Sequence, residues 1–241
     1  MSNDVHDVIS SAPKLTIVVP TYNEKDNILL LVEKVRKVLI DADWEIIFVD
    51  DDSPDGTSRE IKSIGEVDRR IRGIRRIGRR GLAGACLEGI LASQAQYIAV
   101  MDADLQHDEA LLVEMLKVIQ KNETQLVVAS RYIEGGSSSS FSKLRAKISL
   151  WSTSLASRFL KIDLSDPMSG FFMIRRSVVE DIVPLLSTQG YKILLDIVAT
   201  KRGDLKIAEI PFVFRSRLHV ESKLDSSVAM DFLSLLVSKL T

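Results

Sequence analysis

Short apolar runs of strand length alternate along this chain with segments of helical period, and that alternation restricts the fold more than any other feature. Lys14-Leu-Thr-Ile-Val-Val-Pro20 is followed by Asp26 to Ile40, which sets Ile28, Leu31, Val35 and Val38 or Leu39 on one helical face. Glu45-Ile-Ile-Phe-Val-Asp50 precedes a short helical candidate, Arg59 to Ser63; Ile71 to Ile77 reads as a strand and Gly81 to Ser93 as a helix. Tyr97 to Asp102 and Gln125 to Ser130 are further strands, separated by the amphipathic stretch Asp108 to Lys121. Strands that take turns with helices imply right-handed crossovers and a mainly parallel sheet, an α/β architecture.

The rhythm breaks at Glu134-Gly-Gly-Ser-Ser-Ser-Ser140, either a linker between two halves or a lid over a crevice. Beyond it come a helix near Lys143 to Leu160, a turn at Asp166-Pro167 and a strand at Phe171 to Ile174. Helices follow at roughly Ser177–Leu186 and Tyr191–Lys201, then a strand, Leu205 to Phe214, which Pro211 makes edge-like. Ser227 to Leu240 sets Ala229, Met230, Leu233, Leu236, Val237 and Leu240 on one face, to dock on the sheet or to lie in a membrane interface. The 241 residues divide into a polar tail (1–13), one domain (14–226) and this amphipathic segment (227–241). A net charge of −1 provides no field for nucleic acid, and the single cysteine, Cys86, rules out an internal disulfide. No apolar stretch approaches the roughly 18–20 residues that span a bilayer, so the chain is expected to be soluble or peripheral.

Three strands end on polar or acidic residues. The run to Met101 stops at Asp102-Ala-Asp104, the run to Val49 at Asp50-Asp-Asp-Ser-Pro-Asp-Gly-Thr57, and the run to Pro20 at Thr21-Tyr-Asn-Glu24. In an open parallel sheet such ends line one crevice. Strand alternation points Asp102 and Asp104 the same way if extended geometry persists that far. Close carboxylates repel unless a cation neutralises them, and a hard divalent ion prefers their oxygens. Glu24, Asp51 and Asp104 are therefore expected to converge on a single cation. Arg131 follows a strand just as the acids do; Arg145, Arg215, Arg217 and Lys223 lie in or beside loops, either as anion ligands or as solvated surface groups. Arg79 and Arg80, ahead of Gly81 at a helix start, are placed to help hold a phosphate. Gly-x-Gly-x-x-Gly after a strand, Gly-Lys-Ser/Thr and Gly-x-Ser-x-Gly are all missing. His6, His107 and His219 lack metal-ligand spacing, and His107 reads as a loop residue.

Pro20-Thr-Tyr-Asn-Glu24, Val49 to Thr57, Met101-Asp-Ala-Asp-Leu-Gln-His107, Ser130-Arg-Tyr132, Asp166-Pro-Met-Ser-Gly-Phe-Phe172 and Glu221-Ser-Lys223 occur in that order. The series resembles the family-2 inverting glycosyltransferases, and more closely their dolichol-phosphate (polyprenol-phosphate) mannose synthase branch, over about residues 14–240. The resemblance implies a GT-A fold: a Rossmann-like, mainly parallel sheet flanked by helices, here with a C-terminal amphipathic interface helix. It implies hexose transfer from a nucleotide sugar, GDP-mannose first and UDP-glucose as rival, to a polyprenyl or dolichyl phosphate, with Mg²⁺ or Mn²⁺, on the cytoplasmic face of a membrane. Pro20, Tyr22, Glu24, Val49 and Asp51 would surround the nucleoside. Asp102, Ala103, Asp104 and Gln106 would approach the diphosphate, with Asp104 and Gln106 as metal ligands. Arg131, Arg217 and Lys223 would neutralise the phosphates, while Arg145 and Ser149 would lie near the acceptor phosphate. Val220 departs from the family pattern, which has glycine before Glu-Ser-Lys. Two other readings remain at this point: a family-2 transferase with a soluble sugar acceptor, and a phosphotransfer domain using the acidic strand ends as its pocket.

Overall fold

In the computed structural model, which describes residues 12–121, 123–136, 164–187, 190, 192–201 and 203–213, the apolar runs join in one sheet. The elements are β1 (Leu15–Thr21), α1 (Lys25–Val38), β2 (Trp44–Asp50), α2 (Thr57–Val67), β3 (Ile71–Arg75), α3 (Leu82–Leu91) and β4 (Tyr97–Val100). They continue with α4 (Leu111–Gln120), β5 (Leu126–Ser130), β6 (Phe172–Arg175), α5 (Arg176–Glu180), a 3₁₀ turn (Val183–Leu185), α6 (Ile193–Lys201) and β7 (Ile207–Pro211). The sheet order is β3-β2-β1-β4-β6-β5-β7, and every pairing is parallel except the two made by β6. β7 lies at the sheet edge, where the missing N–H of Pro211 costs nothing.

The central strands read as continuous apolar runs because both faces are covered. On one face Ile17, Val19, Ile46 and Phe48 pack with Ile28, Leu31 and Val35 of α1 and Leu112 and Met115 of α4. On the other, Val18, Ile47, Val49 and Val100 pack with Ala85, Cys86 and Ile90 of α3 and with α6. Cys86 is a buried small apolar group, its thiol pushed up by burial. Gly89 lets α3 close on the strands: a Cβ there would stand 2.4 Å from Val18 Cγ1.

Three elements differ from expectation. The helix after β2 runs from Thr57 to Val67, much longer than Arg59–Ser63, because Asp55 organises its entry through the Thr57 amide. The helix expected over Ser177–Leu186 ends at Glu180 and resumes as a 3₁₀ turn; Pro184 has no N–H to continue an α-helical ladder. β4 stops at Val100, short of the acids it was expected to carry in extended form. The proposed helices at 143–160 and 227–240, most of the Ser-rich loop, and Arg145, Ser149, Arg215, Arg217, Val220 and Lys223 lie outside the described residues. Among the described residues no helix is long and apolar enough to cross a membrane.

Candidate active site

Register brings the predicted residues to one edge. Thr21 pairs with Asp50 and Val18 with Val100, so β1, β2 and β4 release their chains side by side. Phe172 of β6 pairs with both Val100 and Val128, so β5 also leaves at this edge while β6 enters there. Tyr22, Glu24, Asp51, Asp102, Arg131 and Gly170 therefore follow or precede strands at a common crevice. Pro20 and Val49 are paired across β1 and β2 near this edge, and Ala103 is buried next to Asp102. A small cavity there is shared by Pro20, Val100, Asp102, Gly170 and Lys192.

The acids do not converge on one cation as expected. Among the described residues, no three His, Cys, Asp or Glu side chains are arranged to hold a metal. Each acid of the first two strand ends has a protein partner instead. Glu24 Oε2 accepts from Asn27 Nδ2 at 2.8 Å. Asp50, buried, accepts from the Ser53 amide at 3.1 Å, from the Ser53 hydroxyl at 2.5 Å, and from the Ser58 hydroxyl. Asp52 pairs with Arg75 at 2.6 Å. Asp55 accepts from the Thr57 amide and hydroxyl and from the Lys25 amide. Burial raises the Asp55 pKa, but these hydrogen bonds outweigh it and hold the group below its ordinary value. Glu24, Asp50 and Asp55 thus serve turn and helix-entry chemistry, and Asp52 a surface ion pair.

Asp51 is the exception in direction. Its Oδ1 accepts from Arg76 Nη1 at 2.5 Å and its Oδ2 from the Gly81 amide at 2.7 Å. Arg76 is itself buried, and its Nε donates to Glu88 at 3.0 Å. Arg79 reaches the same Glu88 from outside at 2.6 Å. The chain Asp51–Arg76–Glu88–Arg79 fixes the start of α3 against the end of β2. Each carboxylate oxygen of Asp51 keeps a second acceptor site. Beside it, the Arg80 guanidinium lies 4.5 Å over the Tyr22 ring, a cation held on an aromatic face at the mouth of the crevice.

The acidic loop is a tight turn rather than an extended strand. The Met101 amide donates to Val18 at 3.2 Å, the last ladder bond. The Asp102 amide then turns inward to His107 Nδ1 at 3.1 Å, Leu105 adopts φ +61, and Asp104 Oδ1 accepts from the Gln106 amide at 3.1 Å. Strand alternation therefore does not set the direction of Asp104. His107 is 2 % exposed. Burial pushes its pKa down to about 4; the charge of Asp104 opposes that shift, and Arg131 adds to it. Asp104 and Gln106, with Asp102 next to them, offer hard oxygen donors too few to enclose an ion alone. That set suits Mg²⁺ or Mn²⁺, which take one or two carboxylates and complete their shell from phosphate oxygens and water.

Arg131 reaches the crevice as its position implied, but its guanidinium is committed. Nε donates to Asp166 Oδ2 at 2.7 Å and Nη2 to Oδ1 at 2.8 Å, while the Arg131 amide adds a bond to Oδ2 at 3.2 Å. Burial lowers the Arg131 pKa, yet the Asp166 hydrogen bonds and charge more than reverse it, with Asp102 adding to the rise. Three residues were not singled out by sequence reasoning. Asp166 belonged to a recognised motif but read as turn chemistry. Arg76 was one arginine among the seven between residues 69 and 80. His107 read as a loop residue, and its ring partners, Phe171 and Phe212, come from just before β6 and just after β7. The Asp166-Pro-Met-Ser-Gly run and the run that ends at His107 both carried a signal that pointed to the site, whereas Arg76 had none.

Comparison with known proteins agrees with this architecture. The sequence model described as glycosyl transferase family 2 matches residues 16–183. Dolichol-phosphate mannosyltransferase of Pyrococcus furiosus is 34% identical over 222 residues, covering 91% of this chain and 62% of that protein. The chain thus spans less than two thirds of the length of that relative. The Saccharomyces cerevisiae protein of the same name is 33% identical over 227 residues, covering 90% of this chain and 84% of its own. The Mycosarcoma maydis protein is 33% identical over 236 residues, with 95% and 79% covered. Among solved structures, glucosyl-3-phosphoglycerate synthase from Mycobacterium tuberculosis with Mn²⁺, UDP and glucosyl-3-phosphoglycerate has a TM-score of 0.72 at 19% identity. That match covers 95% of this chain and 80% of the synthase, and at such identity it bears on the fold, which is GT-A.

Proposed function

The chain belongs to glycosyl transferase family 2, and from that membership we propose that it transfers mannose from GDP-mannose to a dolichyl or polyprenyl phosphate, inverting the anomeric centre. Relatives named dolichol-phosphate mannosyltransferase over nine-tenths or more of this chain support the acceptor class. The observation that carries the reading is the single crevice joining the Asp51–Arg76 pair, the Asp102–Gln106 turn and the Arg131–Asp166 pair. The phosphotransfer alternative lapses with family membership.

The nucleoside would lie among Pro20, Tyr22, Glu24, Val49 and Asp51. Asp51 serves there as an oriented acceptor, because Arg76 and the Gly81 amide fix its carboxylate. Arg80, on the Tyr22 face, supplies a cation near the diphosphate. Asp102 and Ala103 would approach that diphosphate, and Asp104 and Gln106 would hold Mg²⁺ or Mn²⁺. Bound there, the ion supplies charge neutralisation for the departing diphosphate. The M. tuberculosis synthase, of the same fold, was crystallised with Mn²⁺.

The acceptor is a phosphate monoester, whose second pKa is about 6, so it is largely dianionic and needs no protein base. One of its oxygens forms the bond to the anomeric carbon as the bond to the diphosphate oxygen breaks. The electron pair leaves with GDP, and the product is a β-linked lipid-phosphate sugar. Arg131 lends positive charge to this meeting of two anions, held in a fixed direction by Asp166. Arg217 and Lys223 would join it, with Arg145 and Ser149 at the acceptor phosphate and the 227–241 segment on the cytoplasmic membrane surface. Incubation of radiolabelled GDP-mannose with a short-chain polyprenyl phosphate and Mn²⁺ tests the reading: label should become extractable into organic solvent. Label that transfers only from UDP-glucose reassigns the donor. Transfer undiminished in Asp104→Ala, or none from either donor, refutes the proposal.

A further inference from the structure

The Asp102–Gln106 turn is short and polar, with a hydrogen bond of its own from the Gln106 amide to Asp104 Oδ1. One ring beneath it ties it to the rest of the fold. His107 Nδ1 accepts the Asp102 amide at 3.1 Å, which puts the ring proton on Nε2, and Nε2 faces Asp102 Oδ2 at 3.7 Å. A single imidazole therefore addresses both the main chain and the carboxylate of Asp102. The ring is gripped in turn: Phe171 stacks on it with centroids 5.0 Å apart at 13°, and Phe212 meets it edge-on at 5.4 Å. Phe171 and Phe212 are both fully buried and contact each other at 6.0 Å. They adjoin the start of β6 and the end of β7, so the ring keys the acidic turn to two strands remote in sequence.

Gly170 completes the fit. A Cβ at that position would stand 3.2 Å from Asp102 Oδ2 and 3.6 Å from His107 Cε1. The space a side chain would fill is taken by the carboxylate and the ring. The Asp102 amide is the first N–H past Met101, whose own amide is still in the ladder, and His107 both satisfies it and diverts the chain out of the sheet.

We infer that His107 is a positioning residue for the donor site: it fixes Asp102, and through it the turn ending in Asp104 and Gln106, in the geometry that receives a divalent ion with a nucleoside diphosphate. The inference rests on the reading of the crevice as a nucleotide-sugar site. Partners that orient metal-binding groups typically change metal affinity by about 10–100-fold when removed. His107→Phe keeps the aromatic packing and deletes both nitrogens; His107→Asn keeps an acceptor near the place of Nδ1.

Mn²⁺ binding in the presence of GDP, followed by the loss of the free-ion paramagnetic resonance signal, reads the effect without turnover. His107→Phe should weaken that binding by about tenfold or more, with His107→Asn between it and the wild type. In steady state the KM for Mn²⁺ should rise more than kcat falls, which a general loss of folded protein would not produce. The Asp102 amide should be protected from hydrogen exchange in the wild type and lose protection in His107→Phe. Wild-type affinity in a folded His107→Phe overturns the inference and leaves the transferase reading standing. If His107→Phe does not fold, a wild-type Asp102 amide that exchanges freely overturns it instead, and a protected one together with near-wild-type binding by His107→Asn supports it. Wild-type protein that binds neither Mn²⁺·GDP nor Mn²⁺·UDP removes the transferase reading, and this inference with it.

Discussion

Asp166→Asn removes one charge from a pair that has almost no contact with water. The Asp166 side chain is 0 % exposed and that of Arg131 9 %, and three hydrogen bonds join the residues. Removing one partner of a buried pair costs about 3–5 kcal/mol, because the remaining charge has already given up its hydration. Asparagine keeps one oxygen acceptor, which places this substitution near the lower bound, about 3 kcal/mol. For a domain of this size each kcal/mol shifts Tm by about 2–4 °C, so Tm should fall by about 6–12 °C. Arg131→Met alone strands Asp166 in the same way. The double variant Arg131→Met/Asp166→Leu strands no charge, only the residue-131 amide that Asp166 had accepted, and should recover much of the stability, because well-packed apolar replacements of buried pairs are often neutral. Urea unfolding of the wild type, Arg131→Met, Asp166→Leu and the double variant gives the coupling directly, expected at about 2 kcal/mol or more. The double variant should nonetheless be inactive, since the crevice would have lost a cation. Additive single-variant costs, or a cost below about 1 kcal/mol for Asp166→Asn, would refute the claim that the clamp is a desolvated, mutually dependent pair.

Gly170→Ala should leave stability within about 1 kcal/mol of wild type, as one methyl meets only Asp102 and His107 at its closest. Calorimetric titration should nevertheless find Mn²⁺·GDP affinity reduced several-fold; an unchanged value contradicts the proposed crowding of Asp102. Gly89→Ala has the opposite profile. Its Cβ would press into Val18 and Val49, lifting α3 from the sheet at about 1–3 kcal/mol, measurable as a lower urea midpoint. Asp68 predicts an acid limb. Its hydrogen bond to Arg70, aided by Arg36, holds the carboxyl well below the usual carboxylate range. A depressed carboxyl stabilises the fold fully above its unfolded value of about 3.9, and that contribution is lost as pH falls below it. Asp68→Asn should therefore flatten the fall in stability below about pH 4, and an identical acid profile would show that the pair is inert.

The sheet was legible because burial on both faces leaves a plain mark in sequence: runs such as Ile46-Ile-Phe-Val49 that no half-exposed strand would show. The crevice was legible for a related reason, since parallel strands must deliver their next residues to one edge. Partnership was not legible. Asp50, Asp51, Asp52 and Asp55 look alike in sequence, yet one enters a turn, one meets a buried arginine, one a surface arginine and one starts a helix. Those choices depend on Arg75, Arg76, Ser58 and Thr57 arriving in three dimensions. The extended path assumed for Asp102 and Asp104 failed on a ring five residues ahead, whose hold on the chain comes from Phe171 and Phe212. Arg131 was correctly located, but its commitment to Asp166 required a contact across 35 positions.

The reversed strand β6 has a topological consequence. β5 departs from the sheet at the crevice and β6 returns at that same edge, so the excursion between Ser130 and Phe172 opens and closes on one rim. A connection of that kind needs no fixed span, unlike a crossover that must traverse the whole layer. It behaves as an exchangeable cassette: its length and composition can vary among descendants of one scaffold while the strand order stays frozen. Evolution, or a designer grafting between relatives, can thereby alter what borders the crevice without rebuilding the strands that end at it.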